Sequence, residues 1–474
     1  MNESFIVSGS MLGDEGKGTL CDYLANKYDL KENVRFNGGS QASHTVIAGN
    51  QKHKFSQLGS GMLNNTRTYL SDNTIVNLFN IISEAKELSR KTNRSVEEIL
   101  QSVFVDINAS VVTPYHSLIN KLRELSLKEN SLGSVGSGVS EVYKLKQLTG
   151  LDLKVKDLLD GDAELILSKL FRYTSDYYRK KREEIPDELF EELINEKDVY
   201  YLTNEINRDY IKLCYANLMK SNLLNVVDGI KNFHDNSNVL FEGSQGLLLD
   251  RVYGIKPNTT SLDTTNHHGI LLANEINSNI HSIGCASILT SRHGKGVLVT
   301  HDKNLDSVIH DENQMESYFQ GVPRYGWFDA VLFRYSSKVN PNDYYFLSGL
   351  DRLNKFETIK ICNRYIYQGK IDDDFEEIFD YYIDDNKIYI YDIKKNSDRL
   401  KEYLLKCIPD YIELNGYDID FTKIKDFYDL PYSAIDYINV LELLCGVEIN
   451  IVGIGPDRVQ KLERRIKWTL LFLD

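Results

Sequence analysis

This chain has no cluster of metal-binding or disulfide-forming residues. Its six cysteines (Cys21, Cys214, Cys285, Cys362, Cys407 and Cys445) are scattered over 474 residues without a C-x-x-C pair. That spacing argues against both a disulfide framework and a zinc site, and fits a reducing cytoplasm. Long apolar runs are missing too. No stretch approaches the roughly 18 residues of a membrane span, and the start, MNESFIVSGS, lacks the basic and apolar segments of a signal peptide. Positive charge is in deficit, with 55 Lys and Arg against 69 Asp and Glu, a net charge of −14. Such a surface repels a phosphate backbone, which excludes nucleic acid as the main partner while leaving room for a local pocket for a small phosphorylated ligand. Proline is scarce (8 residues), and no Gly/Ser-rich or Pro-rich tract marks a linker. A single elaborated domain over residues 1–474 is expected.

What is present is an alternation of short apolar strands and amphipathic helices, the pattern of an α/β fold with a central, largely parallel sheet flanked by helices. Residues Phe5 to Val7 read as a buried strand, followed by a glycine-rich turn and a helical TLCDYLANKYDL. Ser95 and Glu98 form a capping-box signature. Residues 160–235 are charged, nearly free of glycine and apolar at helical spacing, which predicts several helices, a helical insertion around 155–235. Val239 to Phe241 reads as a second buried strand, KIYIYDI (387–393) as an exposed one, and SAIDYINVLELLCGV as a helix leading into a third buried strand, EINIVGIG. A strand running into a glycine turn therefore occurs three times, and α/β sheets place their ligands at such ends.

The first of these turns is GDEGKG, Gly13 to Gly18. Glycines at Gly13, Gly16 and Gly18 let backbone amides approach phosphate oxygens, the following helix start favours negative charge, and Lys17 adds a cation. It is not the usual P-loop, because Met11 stands where the first glycine is required. Asp14 is the unusual residue. A carboxylate inside an anion-binding loop repels phosphate unless it binds Mg²⁺ or handles a proton. The segment NGGSQASHTV (37–46) follows, with His44 placed to donate to a phosphate or a leaving oxygen.

With these two segments the chain resembles the adenylosuccinate synthetases, in which a strand runs into GDEGKG and a GGxNAGHT segment follows; here the latter reads GGSQASHT. Further landmarks occur in order: QLGSGML (57–63), FEGSQGLLLD (241–250), PNTTSLDTT (257–265), LTSRHGKG (289–296), RYGWFD (324–329) and VGIGPDR (452–458). The resemblance implies a ligase that uses GTP or ATP to phosphorylate the 6-oxygen of a 6-oxopurine nucleotide such as inosine monophosphate, after which an amine, L-aspartate in the family, displaces the phosphate. It implies that Asp14 is the general base at purine N1 and, with the Ser43 carbonyl, a Mg²⁺ ligand. It further implies that His44 stabilises the transferring phosphoryl group and that Gln245 holds the 6-oxygen. Gly13, Glu15, Gly16, Lys17, Gly18, Thr19, Ser43, His44, Thr45, Asp351, Gly453, Gly455 and Pro456 would meet the nucleoside triphosphate. Gln41, Thr260, His293, Gly294 and Arg324 would meet the substrate. A homodimer is implied as well.

The chain also departs from the family. Asp351, in SGLD, matches the aspartate that reads guanine, but the neighbouring lysine is Gly349. At the substrate-phosphate end Thr260 is kept, while Val135 in SVGSG replaces a threonine, and QLTGL (147–151) lacks the arginine that a dimer partner lends in the family; Lys144 and Lys146 are nearby. The amino-acid loop is reduced to MESYFQGVPR (315–324), with Arg324 alone and an added Glu316, leaving Arg292 and Lys295 as candidates to refill it. These losses keep other readings open. One is a phage- or defence-type relative acting on another purine deoxynucleotide or amine, although such phage relatives replace the residue equivalent to Asp14. A non-catalytic nucleotide-binding homologue is another, and a P-loop GTPase switch a distant third.

Overall fold

The computed structural model describes residues 2–127, 131, 133–160, 162–202, 215, 224–309 and 320–464. Its centre is a ten-stranded sheet. In spatial order the strands are Asn225–Val227, Val103–Asp106, Arg67–Leu70, Glu32–Arg35, Val239–Glu242, Glu3–Gly9, Asn279–Ser287, Tyr344–Ser348, Ile449–Gly453 and Lys461–Glu463. All neighbours are parallel except the last pair. Phe5, Ile6 and Val7 are consecutive and wholly buried because both faces are covered. On one face Phe5 and Val7 pack with Leu20, Cys21 and Leu24 of the helix Lys17–Lys27. On the other, Ile6 meets Phe36, Tyr69, Phe241 and Leu272, the last from the helix His267–Glu275. The α/β class with a largely parallel sheet is as expected.

Since the strands run the same way, their carboxyl ends share one edge. Glu3–Gly9 and Val239–Glu242 are hydrogen-bonded neighbours in register Val7 to Glu242, so their glycine turns lie side by side. The third turn, after Ile449–Gly453, is reached across Asn279–Ser287 and Tyr344–Ser348.

Among the described residues of 155–235 helices run over Val155–Asp160, Ala163–Glu184, Asp187–Leu193 and Glu196–Val199, and the capping box at Ser95 and Glu98 is formed. One correction falls inside the stretch read as helices: Asn225–Val227 is a strand closing the sheet edge against Val103–Asp106. Two valines next to Asp228-Gly229 favour extended backbone over a last helical turn. KIYIYDI is a strand, exposed at Lys387 and Tyr391. It lies between Thr358–Tyr367 and Phe379–Asp384 in a second, six-stranded sheet, with Ile390 and Ile393 buried against the helix Ala330–Val339. That sheet begins with Leu289–Arg292 antiparallel to Arg324–Asp329. Among the described residues no helix is long and apolar enough to cross a membrane.

Candidate active site

The turn after Glu3–Gly9 ends at Gly16, which has φ 79° and caps the helix Lys17–Lys27. The first amide to bond back into that helix is Leu20, to the Gly16 carbonyl at 3.0 Å. The amides of Lys17, Gly18 and Thr19 therefore stand at the positive end of the helix dipole without an intrahelical acceptor, as an anion site requires. Glu15 turns its side chain inward. Its buried carboxylate accepts the amides of Ser10 (2.8 Å), Met11 (2.9 Å) and Gly13 (2.7 Å). Burial raises its pKa against the pull of Lys17 and these amides. Lys17 is also drawn beneath the loop, donating from Nζ to the Gly13 carbonyl at 2.6 Å. The two side chains shape the loop from inside, because a buried charge needs a partner.

Around this loop three other segments close in. Gly246 is where the neighbouring EGSQG turn touches it: a Cβ there would lie 2.5 Å from the Met11 carbonyl and 2.8 Å from Gly13 N. At Gly18 a Cβ would overlap the His44 side chain, so only glycine lets the helix start approach that residue. His44 opens the strand His44–Ala48 and is buried. Its Nδ1 is 2.5 Å from Glu242 Oε1, and Glu242 also accepts Ser60 N at 2.8 Å and Ser60 Oγ. Burial disfavours the Glu242 charge, but Arg35, His44 and Ser60 outweigh it and hold the carboxyl at about 2. An ionised carboxylate only accepts, which assigns the proton to Nδ1 and turns Nε2 away from Glu242. Burial lowers the pKa of His44 more than Glu242 raises it.

Asp14 stands at the rim, with its side chain 42% exposed. Ser291 Oγ donates to its Oδ2 at 3.4 Å, and His293 Nε2 is 3.3 Å from the same oxygen. Partial burial opposes ionisation, yet His293, Lys17 and Arg352 together keep the carboxyl below its ordinary range. The turn carrying His293 and Gly294 is braced from behind. Arg324, expected to meet the substrate, donates from Nη2 to the carbonyls of Gly294 (3.0 Å) and Gly296 (2.9 Å). Arg292 is buried, donating to the carbonyls of Asn258 and Val297, with its pKa lowered to about 10 by burial and by Arg324. Lys295 is exposed. Residues 315–319 of the amino-acid loop, Glu316 included, lie outside the described residues.

Gln245 holds the left-handed φ of 61°, a conformation that costs a non-glycine residue about 1 kcal/mol. Its buried Oε1 has no hydrogen-bond partner among the described residues, and neither have Oε1 and Nε2 of Gln41. The orphaned Gln245 oxygen, on a residue packed against Gly13, and the Gln41 amide are groups whose bonding a polar ligand would complete. Thr260, further along the chain, returns toward this turn, its amide bonding the Leu249 carbonyl at 2.8 Å. With Tyr143, Lys144, Gln147, Arg251 and Ser261 it lines an open depression of about 710 Å³. Arg251, missed by the sequence reading, places Nη1 2.8 Å from Tyr143 Oη there. Lys144 bonds Glu141. Lys146 points elsewhere, to Asp152 at 2.8 Å.

At the far side Gly16 and Gly453 both abut Phe346 and Ser348, and Thr19 Oγ1 reaches the Pro456 carbonyl at 3.4 Å. Asp351 follows in a 3₁₀ turn; burial raises its pKa against Arg352 and Lys461. Lys461, also missed, fixes the turn by donating to the carbonyls of Gly455 (3.0 Å) and Asp457 (2.7 Å). Ser43 and Thr45 flank His44, with Ser43 exposed. Among the described residues no three His, Cys, Asp or Glu form a metal cluster. Asp14, a single rim carboxylate, is the kind of oxygen donor taken by a hard cation that draws most of its oxygens from phosphates and water, as Mg²⁺ does.

A family model described as adenylosuccinate synthetase matches residues 6–462. Among curated proteins, the adenylosuccinate synthetase of Mesoplasma florum is 31% identical over 465 residues, covering 96% of this chain and 97% of its own length. That of Borrelia duttonii is 29% identical over 468 residues, covering 98% and 99%. Among solved structures, the fully ligated adenylosuccinate synthetase of Plasmodium falciparum superposes with a TM-score of 0.71 at 22% identity, covering 98% of this chain and all of that one. The cyanophage S-2L succinoaminodeoxyadenylate synthetase bound to dGMP and dATP gives a TM-score of 0.55 at 14% identity, covering 99% and 98%.

Proposed function

The chain belongs to the adenylosuccinate synthetase family, ligases that form a C–N bond in purine biosynthesis, and from that premise we propose that it activates the 6-oxygen of a 6-oxopurine nucleotide with GTP or ATP before an amine displaces the phosphate. The observation that carries the reading is the convergence on one glycine loop of a rim carboxylate, Asp14, a histidine paired with a carboxylate, His44, and a glutamine whose amide oxygen lacks a partner among the described residues, Gln245.

In this reading the helix start at Lys17 to Thr19 receives the terminal phosphates, and Asp14 removes the proton from purine N1. That leaves negative charge on the 6-oxygen, which is otherwise a poor nucleophile. Gln245 and Gln41 offer their amides to the purine, Gln245 to the 6-oxygen. His44, protonated as phosphate charge arrives and held by Glu242, donates from Nε2 to the transferring phosphoryl group. Bound Mg²⁺, held by Asp14 and the Ser43 carbonyl, would supply charge neutralisation on the phosphates. Arg251, Lys144, Thr260 and Ser261 form the anionic end, with Arg251 supplying the guanidinium absent from 147–151. Asp351 reads the base of the triphosphate between the Gly453 and Gly455 turn and Lys461.

The test is mass spectrometry of products from a panel of IMP, GMP, dGMP and AMP with GTP or ATP and candidate amines. A C–N product from a 6-oxopurine, lost in Asp14→Asn and His44→Ala, is expected. Near wild-type triphosphate consumption in both variants would overturn the mechanism, and a product from dGMP alone would move the chain to the deoxynucleotide reading.

A further inference from the structure

We propose that His293, with Ser291, is a positioning residue for Asp14, fixing one carboxylate oxygen so that the base meets its substrate in a single orientation. The inference rests on the acceptor chemistry proposed above. Asp14 sits on a glycine-flanked turn with its side chain 42% exposed. A carboxylate so placed rotates freely unless other groups hold it. Ser291 lies in the strand Leu289–Arg292 and His293 just after it, and both side chains turn toward Asp14. Both reach Oδ2, at 3.4 Å and 3.3 Å. The intervening Arg292 points the other way and is buried on backbone carbonyls.

The imidazole is itself held in place. Arg324 bonds the carbonyls of Gly294 and Gly296, and the Gly294 amide donates to the Gln320 carbonyl at 3.0 Å. The turn is thus stitched on its far side while its near side faces Asp14. An imidazole with its proton on Nε2 donates to Oδ2 at this distance. Misorientation of a reacting group by about 1 Å costs up to about a hundredfold in rate, which sets the scale available to this pair.

The experiment compares His293→Leu, which removes the donor, with His293→Gln, whose amide reaches the same oxygen, and with Ser291→Ala, all in the full chain. Expected in His293→Leu is a fall in kcat of about tenfold or more with triphosphate KM within about twofold, and recovery to within about threefold of wild type in His293→Gln. Long-range ¹⁵N spectra of the imidazole, recorded without substrate, should show the proton on Nε2 in wild type and a changed signal in Asp14→Asn. Wild-type kcat in His293→Leu, equal impairment of His293→Gln and His293→Leu at unchanged melting temperature, or an unprotonated Nε2 would each overturn the proposal. An inactive wild type that still shows the Nε2 proton would sink the acceptor reading and leave the pairing standing.

Discussion

Nδ1 of His44 and Oε1 of Glu242, 198 residues apart in the chain, lie 2.5 Å from each other beneath the phosphate loop. The contact exists because Val239–Glu242 pairs with Glu3–Gly9 in register Val7 to Glu242, which brings the carboxylate to the sheet edge where the loop begins. Arg35 and Ser60 keep that carboxylate charged. A charged partner on Nδ1 favours imidazolium when phosphate charge arrives on the other side.

Glu242→Gln should therefore impair turnover more than binding. The charge that favours protonated His44 is removed, while the amide still occupies the same space. We expect kcat to fall by about 10² with triphosphate KM changed less than about threefold, the scale of losing general acid–base assistance. Steady-state kinetics at saturating acceptor measures it. A variant with unchanged kcat would show that the pair is only structural.

The glycine turns were readable in the sequence for a local reason. Gly16 needs positive φ, Gly18 needs contact without a side chain, and both demands leave the same mark wherever the chain goes afterwards. Pairings across the sheet leave no such mark. Nothing near Glu242 announces His44, and nothing near His293 announces Asp14, because strand order brings them together. The one available signal for Glu242 is a carboxylate ending an otherwise apolar strand, Val239–Glu242, where a buried charge demands a partner. The inward carboxylate of Glu15 is illegible for a related reason: only the amides of Ser10, Met11 and Gly13 reveal that it faces in. Asn225–Val227 was lost because three residues are too few to show a period of two.

A pH dependence of stability follows from Glu84, buried under the loop that leads to Ser60. Its carboxylate accepts the amides of Ser56 (2.9 Å), Gln57 (2.8 Å) and Leu58 (3.3 Å). Burial nonetheless raises its pKa from 4.5 to about 7. The folded state thus binds the proton more tightly than the unfolded state. The stabilisation is complete below the unfolded value of 4.5 and is lost as pH rises through about 7. Glu84→Gln, neutral at every pH, escapes that loss. Denaturant unfolding at pH 5 and pH 8 should show the variant gaining on wild type at the higher pH, and a constant difference would refute the assignment.

Acceptor choice provides a third test. In the proposed mechanism Asp14 accepts the N1 proton and Gln245 offers its amide to the 6-oxygen, whereas an adenine nucleotide has neither group. Binding AMP would leave both protein groups unmatched, at about 1–3 kcal/mol each. Calorimetry should find IMP bound at least about tenfold tighter than AMP. Gln245→Ala should narrow the gap. Equal affinities in the wild-type protein would mean that these residues do not read the purine's 6-position.

L-Aspartate should be bound poorly or differently. Two carboxylates require paired charge-assisted donors, ideally a bidentate arginine for each, to offset their desolvation. Arg324 is the only arginine of MESYFQGVPR, and its Nη2 is committed to the carbonyls of Gly294 and Gly296. Arg292, its cross-strand neighbour, is buried on the carbonyls of Asn258 and Val297. Recruiting either would break bonds that hold the turn carrying His293. Each missing charged donor costs about 1.5–3 kcal/mol, so two or more weaken capture by about 10² to 10⁴. Steady-state kinetics with IMP and GTP, varying L-aspartate and then neutral or smaller amines, should give a high aspartate KM and a better substrate among the amines. A micromolar aspartate KM that survives Arg324→Ala would show that the carboxylates are held by residues other than these.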